Sequence, residues 1–373
     1  RQLATMPFLS EMVSETRWTA RIDEALSRAV SQIQLLAALT PANAIAERAR
    51  LVACAERGLR LVPAWTYEPA STGDALPLLD ATLRALDTLG KGALVDVYRE
   101  RAEELVLEAE LVHAAGTPAV STLAAKRFAP HSATSAKAAE DLATAWAREA
   151  AEERGARVVS DSDHPRSLLS MLKREVGRRA LPFRVVLHPS LSSLAATGDG
   201  VILVTSGREI SEEATLRTTL HEIEGHALPR TRAQKQTLGI FRIGTARGVD
   251  EQEGLALVIE ERAGFLVGAR RRDLALRTKA VVAMRGGADF GDVASLLIAE
   301  HTAPPEEAIV IAERIFRGSD GKRSGLGRES VYLESFVTIA ETLKNKPDRE
   351  IVLASGQVSA AAAGVLAPYC VRA

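Results

Sequence analysis

The sequence is poor in cysteine and lacks long apolar runs. Its only cysteines are Cys54 and Cys370, which excludes a disulfide framework and fits a reducing compartment, so we expect a cytoplasmic protein. We interpret both as small core residues, since free cysteine usually behaves that way. No stretch of about 18 or more apolar residues occurs, so no membrane span is predicted, and the start has no signal-like apolar segment.

Net charge is also nearly absent. Lysine and arginine total 47, aspartate and glutamate total 48, and the formal net charge is −1. No overall field would attract nucleic acid or an anionic membrane, so neither is predicted as a partner. With 46% hydrophobic and 25% charged residues, the composition is typical of a soluble globular protein with one large or two smaller cores.

Residues 1–180 are predicted to form a helical N-terminal region. Apolar residues recur at helical spacing between Trp18 and Leu36, and Pro41 then interrupts the pattern. Further helices are predicted from alanine-, leucine- and glutamate-rich segments and from prolines that can open a helix, at residues 44–57, 77–89, 93–115 and 135–153.

The pattern changes after Ala180. Residues 183–188 and 201–205 are short β-branched runs, predicted to be paired strands. Ser211 then offers an N-cap for a helix that reaches Pro229. Further helices are predicted at 251–272, 290–300 and 305–316. The fold class is therefore α+β and mostly helical, with the N-terminal region packed on a second region, residues 181–373, that holds a small sheet.

The helix that follows Ser211 carries the string HEIEGH. His221 and His226 can hold a metal ion as neutral imidazoles, and Glu222 can take a proton from its bound water. The usual spacing is four residues, whereas a spacing of five rotates the second imidazole by about 140° on a regular helix. We therefore predict a π-type distortion, eased by Gly225. Taken alone, the string is as consistent with chance as with a metal site.

A third ligand is expected on the following helix. Glu253 opens an otherwise apolar segment, where a carboxylate needs a partner, although a dipole-favoured residue at a helix N-terminus is the simpler interpretation. Glu251 competes with it as ligand. Glu260 is either an acceptor for a ligand histidine or a solvated charge. The run at residues 270–272 is interpreted as a solvated helix end.

At these residues the chain resembles a metallopeptidase family that carries HExxxH followed by a QEGLA or EEGLA box. Its bacterial members are QEGLA-motif proteins that modulate flavohemoglobin expression, and its animal members include the microtubule-associated tyrosine carboxypeptidase. The resemblance extends from about Trp18 to Phe336. It includes residues 39–43 with Glu47, Pro63 and Tyr67, and residues 314–318 with residues 331–333.

The resemblance implies a zincin-like zinc peptidase, with residues 181–373 as its catalytic region. His221, His226 and Glu253 would be the zinc ligands, and Glu222 would be the general base for a zinc-bound water. The implied reaction is carboxypeptidase removal of a C-terminal residue, tyrosine or another bulky one, from a peptide or protein. The alternative is a non-catalytic regulatory or protein-binding protein with structural or no metal, which the intact Glu222 argues against.

The substrate carboxylate is expected to bind basic residues of a glycine-bearing loop. Arginine holds a carboxylate through two parallel hydrogen bonds, and Arg314, Arg317 and Arg328, with Tyr332, are the predicted substrate-binding residues. Lys322 and Arg323 lie between them. A solvated basic loop is the alternative for each. At residues 328–329 the sequence departs from the Thr-Lys-Asp-like run of the family, which leaves the substrate open.

Overall fold

The computed structural model describes residues 6–150, 152–189, 191 and 193–371. The first helices are α1 (Met6–Gln32), α2 (Leu35–Ala38), α3 (Ala44–Glu56), α4 (Ala75–Leu89), α5 (Ala93–His113), α6 (Ala119–Arg127), α7 (Ala133–Trp146) and α8 (Leu168–Arg178). Those that follow are α9 (Glu212–Leu220), α10 (Leu228–Ala233), α11 (Ile240–Ile243), α12 (Gly248–Arg262), α13 (Gly268–Arg285), α14 (Phe290–His301), α15 (Pro305–Ile315), α16 (Val331–Asn345), α17 (Glu350–Leu353) and α18 (Ala360–Leu366). The predicted mostly helical α+β class is confirmed. Of the described helices, none is long and apolar enough to cross a membrane.

Two predicted helices have wrong ends. The helix expected at 135–153 stops at Trp146, and Glu149 instead accepts a hydrogen bond from the backbone N–H of Gly268. Residue 151 lies outside the described residues. The helix expected at 251–272 is two helices, α12 and α13. The chain breaks between them because Gly264 and Gly268 adopt φ angles of +79° and +47°, which glycine tolerates better than other residues.

Five short strands form two small sheets in the described part of the chain. They are β1 (Arg157–Val159), β2 (Arg184–His188), β3 (Ala195–Thr197), β4 (Val201–Thr205) and β5 (Glu209–Ser211). β2 and β4 are the predicted pair, and their pairing is parallel. β3 was not predicted, because three residues are too few to show an alternating pattern. It pairs antiparallel with β4, so the order is β2-β4-β3.

The buried apolar residues form two clusters. The larger one extends along the chain from Ile22 to Leu366 and is built from helices of both predicted regions. The smaller one joins α8, the three-stranded sheet, Ile223 of the HEIEGH segment and Ala227, which directly follows that segment. The HEIEGH segment therefore lies between the small sheet on one side and α12 on the other. The division at residue 180 remains a prediction.

An extended segment after α3 contacts the loop after α15, which carries predicted site residues. The hydroxyl of Tyr67 donates to the carbonyl oxygen of Ser319 at 2.9 Å and accepts from the N–H of Gly318 at 3.1 Å. Glu47 accepts a hydrogen bond from the N–H of Ala64 in the same segment. Tyr67 thus holds the loop after α15, and Glu47 holds the segment that carries Tyr67.

Candidate metal centre

The HEIEGH segment is a π-helix. It runs from His221 to Ala227, between α9 and α10, so the predicted distortion is confirmed. Ser211 caps α9 as predicted, since its side chain accepts a hydrogen bond from the N–H of Ala214. A π-helix has i→i+5 hydrogen bonds. Its wider turn places His221 and His226, five residues apart, on the same side of the segment.

Three donor atoms converge beside this π-helix. The Nε2 atoms of His221 and His226 are 3.2 Å apart, and Oε2 of Glu253 lies 3.4 Å from the first and 3.6 Å from the second. A tetrahedral zinc ion with bonds of about 2.0–2.1 Å spaces its ligands about 3.3–3.4 Å apart. The donor set and its spacing therefore fit a zinc ion.

Glu251, the competing carboxylate, points elsewhere. Its Oε2 accepts a 2.6 Å hydrogen bond from the N–H of Ala360, and its Oε1 lies 3.4 Å from Nδ1 of His131. Burial raises the pKa of Glu251 to about 7. Among the described residues, Glu253 is therefore the carboxylate that joins the two histidines.

His221 is held through its other ring nitrogen. Nδ1 lies 2.7 Å from Oε1 of Glu260, a fully buried carboxylate that also receives two 2.9 Å hydrogen bonds from Arg270. Burial opposes ionisation of Glu260, but Arg270 and His221 outweigh it and lower its pKa to about 2. Glu260 is thus an acceptor rather than a solvated charge.

The prediction of a solvated helix end at residues 270–272 is wrong. These residues open α13, where Arg270 binds Glu260 and Arg272 donates to the carbonyl oxygen of His301. Arginine runs at helix ends are usually solvated, but α13 packs against α7 and α14. All three arginines have partners, since Arg271 also pairs with Glu149.

His226 and Glu222 also have fixed partners, which the sequence did not reveal. With Nε2 facing the other donors, the Nδ1–H of His226 donates to Oε1 of Gln252 at 3.1 Å. The hydroxyl of Thr197 on β3 donates to Oε2 of the buried Glu222 at 2.7 Å. Gln252 directly precedes Glu253 in the QEGLA box, a signal that could have been used. Thr197 had none, because β3 was unpredicted.

Gly225 acts by its small size. A Cβ at this position would lie 2.5 Å from Cβ of Ala256, so α12 can approach the π-helix only because residue 225 has no side chain. Gly225 does not have a positive φ angle, so its backbone conformation does not require glycine. The expected reason, an eased backbone, is therefore replaced by close helix packing that brings Glu253 to the histidines.

Of the predicted substrate-binding residues, Arg328 and Tyr332 lie next to the centre. Nη2 of Arg328 is 3.5 Å from Oε1 of Glu253, and its Nε is 3.6 Å from Oδ1 of Asp250. Tyr332 is buried, and its ring lies 5.6 Å from the guanidinium of Arg277. Burial and the charge of Glu253 both raise the pKa of Tyr332.

Arg314 and Arg317 have other surroundings. Arg314 binds Glu329 at 3.0 Å. Arg317 has no carboxylate within 4 Å among the described residues, and burial, helped by Arg314, lowers its pKa to about 10. In the same loop Arg323 is exposed and pairs with Asp320 at 3.0 Å. Neither Arg314 nor Arg317 contacts Glu253 in the described part of the chain.

A comparison with known protein families identifies one family for this chain. The family model described as microtubule-associated tyrosine carboxypeptidase matches residues 60–372. The match includes the π-helix and α12, and it extends beyond Phe336, whereas the resemblance between Trp18 and residue 59 lies outside it. No curated protein gives a significant match. Because the match covers most of the sequence, the chain belongs to the microtubule-associated tyrosine carboxypeptidase family.

Proposed function

We propose that this protein is a zinc-dependent carboxypeptidase with a zincin-like core, in which His221, His226 and Glu253 are the zinc ligands. The observation that carries the proposal is the spacing of their donor atoms, 3.2, 3.4 and 3.6 Å apart. Three protein donors leave one position of a four-coordinate ion for water, which is the catalytic pattern. The name of the family supports the peptidase assignment and the removal of a C-terminal tyrosine or another bulky residue.

Glu222 is the proposed general base. A bound zinc ion would supply a polarised water molecule as nucleophile near neutral pH. Glu222 takes the proton of the attacking water and returns it to the leaving amine. Thr197 occupies Oε2 of Glu222, and no described residue donates to Oε1. One oxygen therefore fixes the carboxylate while the other stays available to the proton.

Arg328 is the proposed first contact of the substrate carboxylate. Its contacts with Asp250 and Glu253, at 3.6 and 3.5 Å, are longer than ordinary hydrogen bonds. Arg314 binds its own carboxylate at 3.0 Å. A loosely held guanidinium beside a metal ligand can turn towards an incoming carboxylate at little cost. Arg317 and Tyr332 complete the proposed binding surface, and Arg314 supports it through Glu329.

The test compares matched peptides that end in a free or an amidated tyrosine, with cleavage read by mass spectrometry and with a chelator as a further arm. We expect hydrolysis of the free acid that the chelator abolishes. Arg328→Ala should lower kcat/KM for the free acid by about 10- to 100-fold, because a charge-assisted hydrogen bond is lost. Zinc content should stay unchanged. Arg323→Ala removes an exposed arginine of the same loop and serves as the matched control.

Glu222→Gln separates catalysis from metal binding. The amide keeps the shape of the side chain but accepts no proton, so zinc should remain while nearly all hydrolysis is lost. Activity within about tenfold of wild type, a difference of ~1.4 kcal/mol in the barrier, would show that another group is the base.

Equal cleavage of the free and the amidated peptide would show that the protein is an endopeptidase. Bound zinc without hydrolysis would favour the non-catalytic alternative.

A further inference from the structure

A chain of buried polar contacts runs from α13 to the metal-site histidine. Nε and Nη2 of Arg270 donate to Oε2 and Oε1 of Glu260, each at 2.9 Å. Oε1 of Glu260 then lies 2.7 Å from Nδ1 of His221. Both oxygens of the carboxylate are therefore engaged by Arg270, and the one shared with His221 has a fixed position.

This chain joins three separate elements. His221 belongs to the π-helix, Glu260 to the last turns of α12, and Arg270 to the first turn of α13. The side chain of Glu260 is fully buried, and that of Arg270 is mostly buried. A carboxylate in such a place costs free energy unless it is paired. Arg270 supplies this pairing, so Glu260 can serve as a buried acceptor for His221.

We propose that Arg270 is a positioning residue of the metal centre, which sets metal affinity by fixing Glu260 and through it the orientation of His221. The inference rests on the proposed function, because it takes His221 as a metal ligand. Partners of ligand histidines hold the imidazole in one tautomer and one orientation, and their loss typically weakens metal binding by about 10- to 100-fold. Arg270 acts one step further out.

The neighbouring Arg271 offers a matched control. It also lies in the first turns of α13, pairs with Glu149 at 3.4 Å and stacks on Trp146 at 4.9 Å. Replacing it removes a partly buried arginine and its ion pair from the same helix. Arg271 does not touch Glu260 or His221 among the described contacts, so its loss should leave the metal centre unaltered.

The experiment measures zinc affinity of the full chain by competition with a chromophoric chelator. We expect Arg270→Met and Glu260→Gln each to weaken zinc binding by about 10- to 100-fold. The double variant should bind zinc about as tightly as the single variant with the lower affinity, because both changes break the same chain of contacts. The zinc affinity of Arg271→Met should stay within about threefold of wild type, because Arg271 contacts neither Glu260 nor His221.

Arg270→Lys guards against loss of folding. Lysine keeps the charge but cannot bridge both oxygens of Glu260, so we expect a folded protein with zinc affinity between those of wild type and Arg270→Met. Wild-type affinity in both Arg270 variants, with circular dichroism showing native helix content, would overturn the inference and leave the proposed function standing. A wild-type protein that binds no zinc would overturn both.

Discussion

At the scale of single residues, the centre works by dividing the two polar atoms of each side chain between two tasks. Glu253 directs Oε2 to the histidines and Oε1 to Arg328. Glu222 has Oε2 bound by Thr197, and the histidines use Nδ1 for partners on α12. Each atom with a proposed role is thus oriented by a contact at the other end of its group, which limits its motion.

The contact of Thr197 with Glu222 yields a direct prediction. Thr197→Val keeps the shape of the side chain but removes the hydroxyl donor, so kcat should fall about 10- to 100-fold, the value of a hydrogen bond to a charged group. KM and zinc content should change little. Steady-state kinetics with a tyrosine-ended peptide would measure this, and Thr197→Ser should recover most of the rate. A valine variant with normal kcat would show that Glu222 is oriented without Thr197.

At the scale of elements, the centre depends on how closely α12 approaches the π-helix. α12 provides Gln252, Glu253 and Glu260, whereas the π-helix provides both histidines. Gly225 and Ala256 meet at the contact between them. A wider separation of the two helices would move Glu253 away from the histidines, so this packing contact supports the proposed zinc site.

Gly225→Ala should therefore weaken the centre through packing. The added methyl group would lie 2.5 Å from Cβ of Ala256, and overpacking of this kind costs about 1–3 kcal/mol. We expect a lower free energy of unfolding in urea and weaker zinc binding in chelator competition. Gly177→Ala is the control, since a Cβ there meets nothing within 4 Å; alanine in that helix should be neutral or stabilising. Equal behaviour of the two variants would contradict the packing argument.

At the scale of the whole molecule, a buried ion network ties the N-terminal helices to α12. Arg127 of α6 binds Asp250 at 2.7 Å, Glu108 at 2.8 Å and Glu104 at 3.2 Å. Asp250 also faces Arg328. The helices before the sheet therefore help to place the helix that carries Glu253, and they do more than add bulk to the fold.

Arg127→Met should destabilise the whole chain. It removes the cation shared by the buried Asp250 and Glu104 and by the partly buried Glu108, and breaking a buried pair in this way costs about 3–5 kcal/mol. Urea unfolding followed by circular dichroism would measure the loss. Arg84→Ala, which removes an exposed ion pair with Asp80 on α4, should cost at most about 1 kcal/mol. A loss that small for Arg127→Met would mean that the network contributes little.

The sequence by itself determined the features that depend on local pattern. The five-residue spacing of His221 and His226 required a distorted helix, and Ser211 marked where that helix begins. The apolar run after Glu253 predicted a carboxylate that enters the core, and the structure places it against both histidines. Helical periodicity also predicted most of the helices, because neighbours within a helix are close in sequence.

Only the tertiary structure decided which distant residues hold these groups in place. Thr197 meets Glu222 because β3 pairs with β4, and Arg270 meets Glu260 across the turn between α12 and α13. The same folding turned a supposed solvated helix end into a buried ion pair and made Gly225 a packing residue. Such contacts depend on the shape and charge of the surfaces of two elements. Local periodicity does not indicate which surfaces will contact each other.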